Sequence, residues 1–251
     1  MNRGATDLAG VRHTAYETLG STNAEALARA RAGERGPLWI TARTQTAGRG
    51  RRGNQWVSPP GNLYATLLLS EPSPKAHAPQ LSFVAALALH DAVTECAPQL
   101  GPSLKVKWPN DLLVGKAKFA GILIEGESEP IFVVTIGIGV NCAVHPENTD
   151  FPATDLAATG ALVVPDALFA ALSTAMARRL GQWKGGQGFA VIRADWLKHA
   201  AGLGEKLLLR LPGRELSGRF QGLDDQGQLL VEHEGSVTTI AAGEVFGFDG
   251  P

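Results

Sequence analysis

Thr44-Gln45-Thr46-Ala47-Gly48-Arg49-Gly50-Arg51-Arg52-Gly53 lies between two apolar, β-rich segments, residues 38–43 and 63–69, and its last six positions hold three glycines and three arginines. Two strands joined through such a segment predict a rigid sheet that carries a ligand loop. Glycine lets main-chain N–H groups approach a ligand closely, and each guanidinium offers a planar fork of donors to carboxylate or phosphate oxygens. No acidic residue falls between Arg35 and Ser70, while the whole chain has a formal charge of -1. The cluster therefore reads as a local anion site, since a nucleic-acid surface spreads its basic excess across a domain. The competing reading is an ordinary solvated surface turn.

On the N-terminal side, Ser21-Thr22-Asn23-Ala24-Glu25 opens a short helix that Gly33 stops. Thr22 and Glu25 fit a capping box, which leaves Ser21 and Asn23 free to meet a polar head group at the helix N-terminus. On the C-terminal side the pattern predicts a helix over 77–97, with Leu81, Val84, Ala85, Ala88 and Ala92 at helical spacing. A strand over 104–108 follows, then a hairpin of 111–114 and 118–125 around Gly115-Lys116, a strand over 130–140, and helices over 165–183 and 189–199. After Gly204, short alternating strands with turns at Pro212-Gly213, Asp224-Asp225-Gln226-Gly227 and Glu234-Gly235 predict a small antiparallel barrel of about fifty residues. Strand runs with helices grouped between them argue for an α+β core over a doubly wound sheet, with a first domain at 1–203 and a second at 204–251.

Composition narrows the class. A chain of 251 residues, 44% hydrophobic and 19% charged, fits one sizeable core and a small second module. Its apolar stretches, 83–89 and 131–140, are too short or too glycine-broken to cross a bilayer, and residues 1–20 lack a signal-peptide pattern. A cytoplasmic location is expected, with no membrane partner. Cys96 and Cys142 lack metal-ligand spacing and read as reduced, inert core thiols, and none of the six histidines forms a spaced ligand pair. No metal held by protein groups is expected.

Three further segments carry chemistry. Lys107-Trp108-Pro109-Asn110-Asp111 puts a cation, an aromatic and two short polar groups at a strand end, where a plain turn is the alternative. Lys118 begins the next strand, and alternation sets it on the face opposite Phe119; a solvent-facing lysine is the competing reading. Asn141 follows Gly137 and Gly139 as a site residue or a simple strand terminator. There is no Ser/His/Asp or Cys/His arrangement and no Walker loop. Cations and amides in this number stabilise developing negative charge instead of supplying a nucleophile, as activation of a carboxylate by a nucleotide requires.

Those motifs, in this order and approximate spacing, resemble biotin protein ligases: Ser21-Thr22-Asn23; Gln45 with Gly48 to Gly53 and Trp56; residues 107–111; Lys118 with Gly121-Ile122-Leu123; and Gly137-Ile138-Gly139-Val140-Asn141. The match covers residues 15–200, and Gly243-Glu244-Val245 is similar to the family's C-terminal module. The resemblance implies a core like that of class II aminoacyl-tRNA synthetases with an SH3-like C-terminal β-barrel. It implies ATP, Mg2+ and biotin as reactants and biotinyl-5′-AMP as the intermediate. As acceptor it implies a lysine of a biotin carboxyl carrier protein.

By the same resemblance, Ser21, Thr22, Asn23, Gln45, Arg49, Gly50, Arg51, Lys118 and Gly121 bind biotin. Arg51, Arg52, Trp56, Lys107, Asn110, Lys118 and Asn141 serve ATP, and Lys118 and Arg51 are the catalytic pair. Asn54 stands where many members carry another basic residue. About twenty residues precede Ser21, so the form without an N-terminal DNA-binding domain is expected, with no DNA partner. A homodimer is the analogy for assembly. A lipoate or octanoate ligase or transferase is the nearest rival, and a non-catalytic ligand or nucleic-acid module using the basic loop is the rival from another class. The 6% aromatic content gives the latter few stacking platforms.

Overall fold

The computed structural model describes residues 2–8, 10–147, 149, 151–211 and 213–249; Pro212, expected in a turn, lies outside them. Among the described residues there are two sheets and four α-helices. The large sheet contains β1 (Asn2–Leu8), β2 (Val11–Leu19), β3 (Leu38–Gln45), β4 (Leu63–Ser70), β5 (Leu104–Lys107), β6 (Asp111–Val114), β7 (Ala117–Glu127) and β8 (Val133–Val140). Its strand order is β1-β2-β3-β4-β8-β7-β6-β5, antiparallel throughout except between β2 and β3. The parallel step is made by α1 (Thr22–Arg31), the crossover between those two strands. The first two strands were not expected: their alternation is too polar to stand out without the neighbour that pairs with them.

Alternation on the central strands sorts the two faces. Leu67 and Leu69 of β4 and Val134, Ile136, Ile138 and Val140 of β8 face a core shared with α2 (Leu81–Cys96) and α3 (Pro165–Trp183). Behind them α4 (Phe189–Lys198) adds Phe189, Ile192 and Trp196. On the other face α1 packs Ala26, Leu27 and Ala30 against Leu38, Ile40, Leu68 and Val133. The start of α2 differs from the expected helix at 77. Residues Lys75–Gln80 form a 3-10 turn containing Pro79, and the α-helix begins only at Leu81.

The C-terminal strands are β9 (Lys206–Leu211), β10 (Arg214–Leu223), β11 (Leu229–His233), β12 (Ser236–Ile240) and β13 (Glu244–Asp249). They form a second, antiparallel sheet in the order β12-β11-β10-β9-β13. It docks closely on the core: the Trp108 indole N–H donates to Gly227 O at 3.1 Å, and a Cβ on Gly227 would stand 2.6 Å from the Phe83 ring. Among the described residues no helix is long and apolar enough to cross a membrane.

Candidate active site

Every site residue expected from the sequence lines one cavity of about 610 Å³: Ser21, Thr22, Asn23, Gln45, Arg49, Gly50, Arg51, Arg52, Trp56, Lys107, Asn110, Lys118, Gly121 and Asn141. The cavity lies on the α1 face of the large sheet, and three glycines make room for it. Gly121 and Gly139 stand opposite each other on β7 and β8, with Leu123 opposite Gly137. A Cβ on Gly139 would approach the Trp56 indole to 2.5 Å, one on Gly121 to 3.0 Å, and one on Gly137 would meet Asn23 Oδ1 at 2.3 Å. Only a bare backbone lets the indole lie flat over both strands. The indole Nε1 is buried and has no hydrogen-bond partner.

At the α1 end the cavity is polar. Here the structure corrects the capping box: Ser21 is the N-cap and accepts from the Ala24 N–H, while Glu25 pairs with Tyr16 and Arg29. Thr22 is released to donate, through its backbone N–H at 2.8 Å and its hydroxyl at 3.1 Å, to Gln45 Oε1. The Gln45 amide in turn donates to Ser58 Oγ at 2.9 Å. Thr66 Oγ1, fully buried in an otherwise apolar strand, sits 2.8 Å from Thr22 Oγ1 and 2.7 Å from Asn23 Oδ1. The result is a cradle of fixed hydroxyl and amide groups suited to a neutral, doubly hydrogen-bonding head group.

The glycine–arginine loop is folded over this cavity. Trp56 N–H donates to Gly48 O at 2.9 Å and Gly50 N–H to Asn54 O at 2.7 Å, and Arg51–Gly53 form a 3-10 turn with Arg52 at φ 57. Gly48 is pressed against the returning chain, where a Cβ would lie 2.3 Å from Trp56 O. Arg51 donates to Asn110 Oδ1 at 3.2 Å and reaches Gly243 O at 3.5 Å, so the loop touches the turn between β12 and β13. Burial lowers the Arg51 guanidinium from its ordinary value, with Asp111 opposing. A partly desolvated cation of this kind gains most from an incoming anion.

The cation pair at the opposite end is organised by one carboxylate. Asp111, 6% exposed, takes Lys107 Nζ at 2.9 Å on Oδ2 and stands 2.6 Å from Lys118 Nζ on Oδ1. Burial works against a charged Asp111, but Lys118 and Lys107 outweigh it and hold the carboxyl below its ordinary range. Burial lowers Lys107, against the pull of Asp111. Lys107 is otherwise committed, donating to Val245 O at 2.9 Å and lying 3.8 Å from the Phe151 ring.

Lys118 is the more open of the two, with 28% of its side chain exposed. Its backbone is clamped by Lys118 N–H to Pro152 O at 2.7 Å and Thr154 N–H to Lys118 O at 2.9 Å. Asn110 and Asn141 fix the frame: their Nδ2 groups donate to Ile122 O at 2.7 Å and Thr154 O at 3.1 Å. Sequence reasoning assigned no role to Asp111, Thr66, Glu125 or the C-terminal cavity residues Arg210 and Glu244. A lone threonine inside the run of residues 63–69 was the one local signal for Thr66.

A cavity with a neutral polar cradle at one end, cations at the other and no nucleophilic triad is that of an enzyme that joins a carboxylate to a nucleotide. The Biotin/lipoate A/B protein ligase family model matches residues 21–141, and the Biotin protein ligase C terminal domain model matches residues 202–246. The chain is 43% identical to a biotin–[acetyl-CoA-carboxylase] ligase of Paracoccus denitrificans over 235 residues, 90% of this chain and 96% of that one. Its fold is similar to that of a biotin protein ligase from Aquifex aeolicus in complex with biotin and ATP. That likeness has a TM-score of 0.77 and 26% identity, covering 93% of this chain and 97% of the other. It is also similar to a biotin protein ligase from Leishmania major in complex with biotinyl-5-AMP, with a TM-score of 0.66 and 29% identity over 91% and 98% of the two chains. The chain belongs to the biotin protein ligase family, an enzyme family of ligases.

Proposed function

We propose that the cavity binds biotin and ATP, joins them as biotinyl-5′-AMP, and passes the biotinyl group to a lysine of a biotin carboxyl carrier protein in the cytoplasm. In the first step a biotin carboxylate oxygen attacks the α-phosphorus and pyrophosphate leaves with the electron pair of the broken P–O bond. In the second the lysine amine attacks the anhydride carbonyl, AMP leaves, and the amine gives up its proton. Ser21, Thr22 and Gln45 hold the neutral ring system, and Gly121 with Trp56 shapes the floor. Arg49, Gly50 and Arg51 cover the chain and anhydride, while Arg52 and Asn141 serve the phosphate side.

Lys118 stands between carboxylate and α-phosphate, where an ammonium reduces their mutual repulsion and fixes them for attack. Lys107 and Asn110, both engaged with protein partners, act by holding Asp111 and Arg51. Mg2+ arrives with the nucleotide as part of the substrate. Residues 1–203 are read as the catalytic domain, with a core of the class II aminoacyl-tRNA synthetase type. Residues 204–251 are read as an SH3-like C-terminal domain, and the separate antiparallel sheet from Lys206 onward supports that division.

The single observation that carries this reading is the convergence of the Thr22–Gln45 cradle and the Lys118 ammonium on one cavity. Incubation with ATP, Mg2+ and either biotin or lipoate, together with an apo carrier domain, followed by intact mass, tests it. A mass gain of the carrier with biotin and none with lipoate is expected; a gain with lipoate alone would replace the reading with the lipoate one.

A further inference from the structure

Glu125 is not part of the cavity wall, yet it makes an ion pair that ties the loop's first arginine to the sheet. Arg49 Nη2 lies 3.0 Å from Glu125 Oε2, and the same oxygen accepts from Asn23 Nδ2 at 2.8 Å. On β7 Glu125 stands opposite Thr135, two residues beyond Leu123, so it points to the same face as Gly121 and the cavity. The Glu125 side chain is 27% exposed and the Arg49 side chain 47%, so neither is buried enough to make a structural core pair.

The Asn23 amide has one consistent orientation. Its two hydrogens go to Leu123 O at 3.3 Å and Glu125 Oε2 at 2.8 Å, and its oxygen faces Thr66 Oγ1 at 2.7 Å. A flipped amide would set oxygen against two acceptors. The side chain fills the space that Gly137 leaves open, where an added Cβ would stand 2.3 Å from Asn23 Oδ1. Asn23 thus has no hydrogen left for a ligand, and its amide hydrogens serve the backbone of β7 and the Glu125 carboxylate.

We infer that Glu125 is a positioning residue: its carboxylate, oriented by Asn23, holds the Arg49 guanidinium over the cavity and so sets the closed geometry of the glycine–arginine loop. The inference rests on the proposed function only for its kinetic arm. Glu125→Gln is the suitable variant, because the amide oxygen still accepts from Asn23 while the charge facing Arg49 is lost.

The test is limited trypsinolysis of the ligand-free full chain, read at the bonds after Arg51 and Arg52, in the native protein, E125Q, R49Q and the double variant. Loss of an ion pair of this exposure predicts cleavage about three- to fivefold faster in E125Q, and no further increase when E125Q is added to R49Q. In the kinetic arm, the biotin KM rises about three- to fivefold in E125Q while kcat stays within about twofold, again only where Arg49 is present. Cleavage of E125Q at the native rate, an equal increase in the R49Q background, or faster cleavage with an unchanged KM would each overturn the inference. If the native protein uses no biotin at all, the proposed function fails and the protease arm alone still decides on Glu125.

Discussion

The Lys118 ammonium and the Asp111 carboxylate stand 2.6 Å apart at the end of the cavity, and Lys107 meets the other oxygen of the same carboxylate at 2.9 Å. One buried anion therefore sets the position of two cations from different strands. Asp111→Asn would leave Lys107 buried without its counter-ion, a change that costs on the order of 3 kcal/mol. Urea unfolding should show a loss of that order, and biotin-dependent ATP–pyrophosphate exchange should fall at least about a hundredfold. Exchange at the native rate would show that the placement of Lys118 does not depend on Asp111.

Glycines in this chain do different work at different places, and alanine separates them. At Gly139 a Cβ would stand 2.5 Å from the Trp56 indole, so Gly139→Ala should displace the ring and cost about 1–3 kcal/mol, with biotin bound roughly tenfold more weakly by calorimetry. Gly181 lies inside α3 with nothing within 4 Å of an added Cβ, so Gly181→Ala should stabilise by about 0.5–1 kcal/mol. Equal effects at the two positions would contradict the packing assigned to Trp56.

Acid should weaken the fold through His90. Its ring stacks on His199 at 4.0 Å, is 6% exposed, and faces Asp91 beside it on α2, Arg179 of α3 and Lys105 of β5, while Asp195 of α4 acts on His199. Burial, then the neighbouring His199, pushes it down to about 4. The folded value lies below the unfolded value of about 6.5, so the unfolded chain binds the extra proton. The stability this neutral ring contributes is complete above about pH 6.5 and is lost as pH falls toward 4, on the order of 3 kcal/mol in all. In urea titrations between pH 7 and pH 5, His90→Leu should lose less stability than the native protein; parallel losses would assign the acid sensitivity elsewhere.

Much of the site was legible because its residues come in contiguous motifs whose types are unusual together: the arginines of 48–53, Lys107 to Asp111, and Gly137 to Asn141. The central strands and α3 were legible for the same local reason, since their apolar periodicity is strong over their own length. What escaped depends on partners distant in sequence. The strands β1 and β2 take their identity from pairing, the latter with β3 across a helix. Glu125 gains meaning only from Asn23, 102 residues away, and Arg49, 76 residues away. The cap fell on Ser21 instead of Thr22 because Gln45 and Thr66 recruit the Thr22 hydroxyl, a tertiary contact that outweighs a local motif.

The central claim, that the Lys118 ammonium bridges two anions, is tested most directly by biotin-dependent exchange of labelled pyrophosphate into ATP in Lys118→Ala. Lys107 still pairs with Asp111 in that variant, so it should stay folded, with a melting temperature within a few degrees of the native value. The account predicts an exchange rate below about one-hundredth of native. Exchange within about twofold of native, in a folded Lys118→Ala protein, would contradict it.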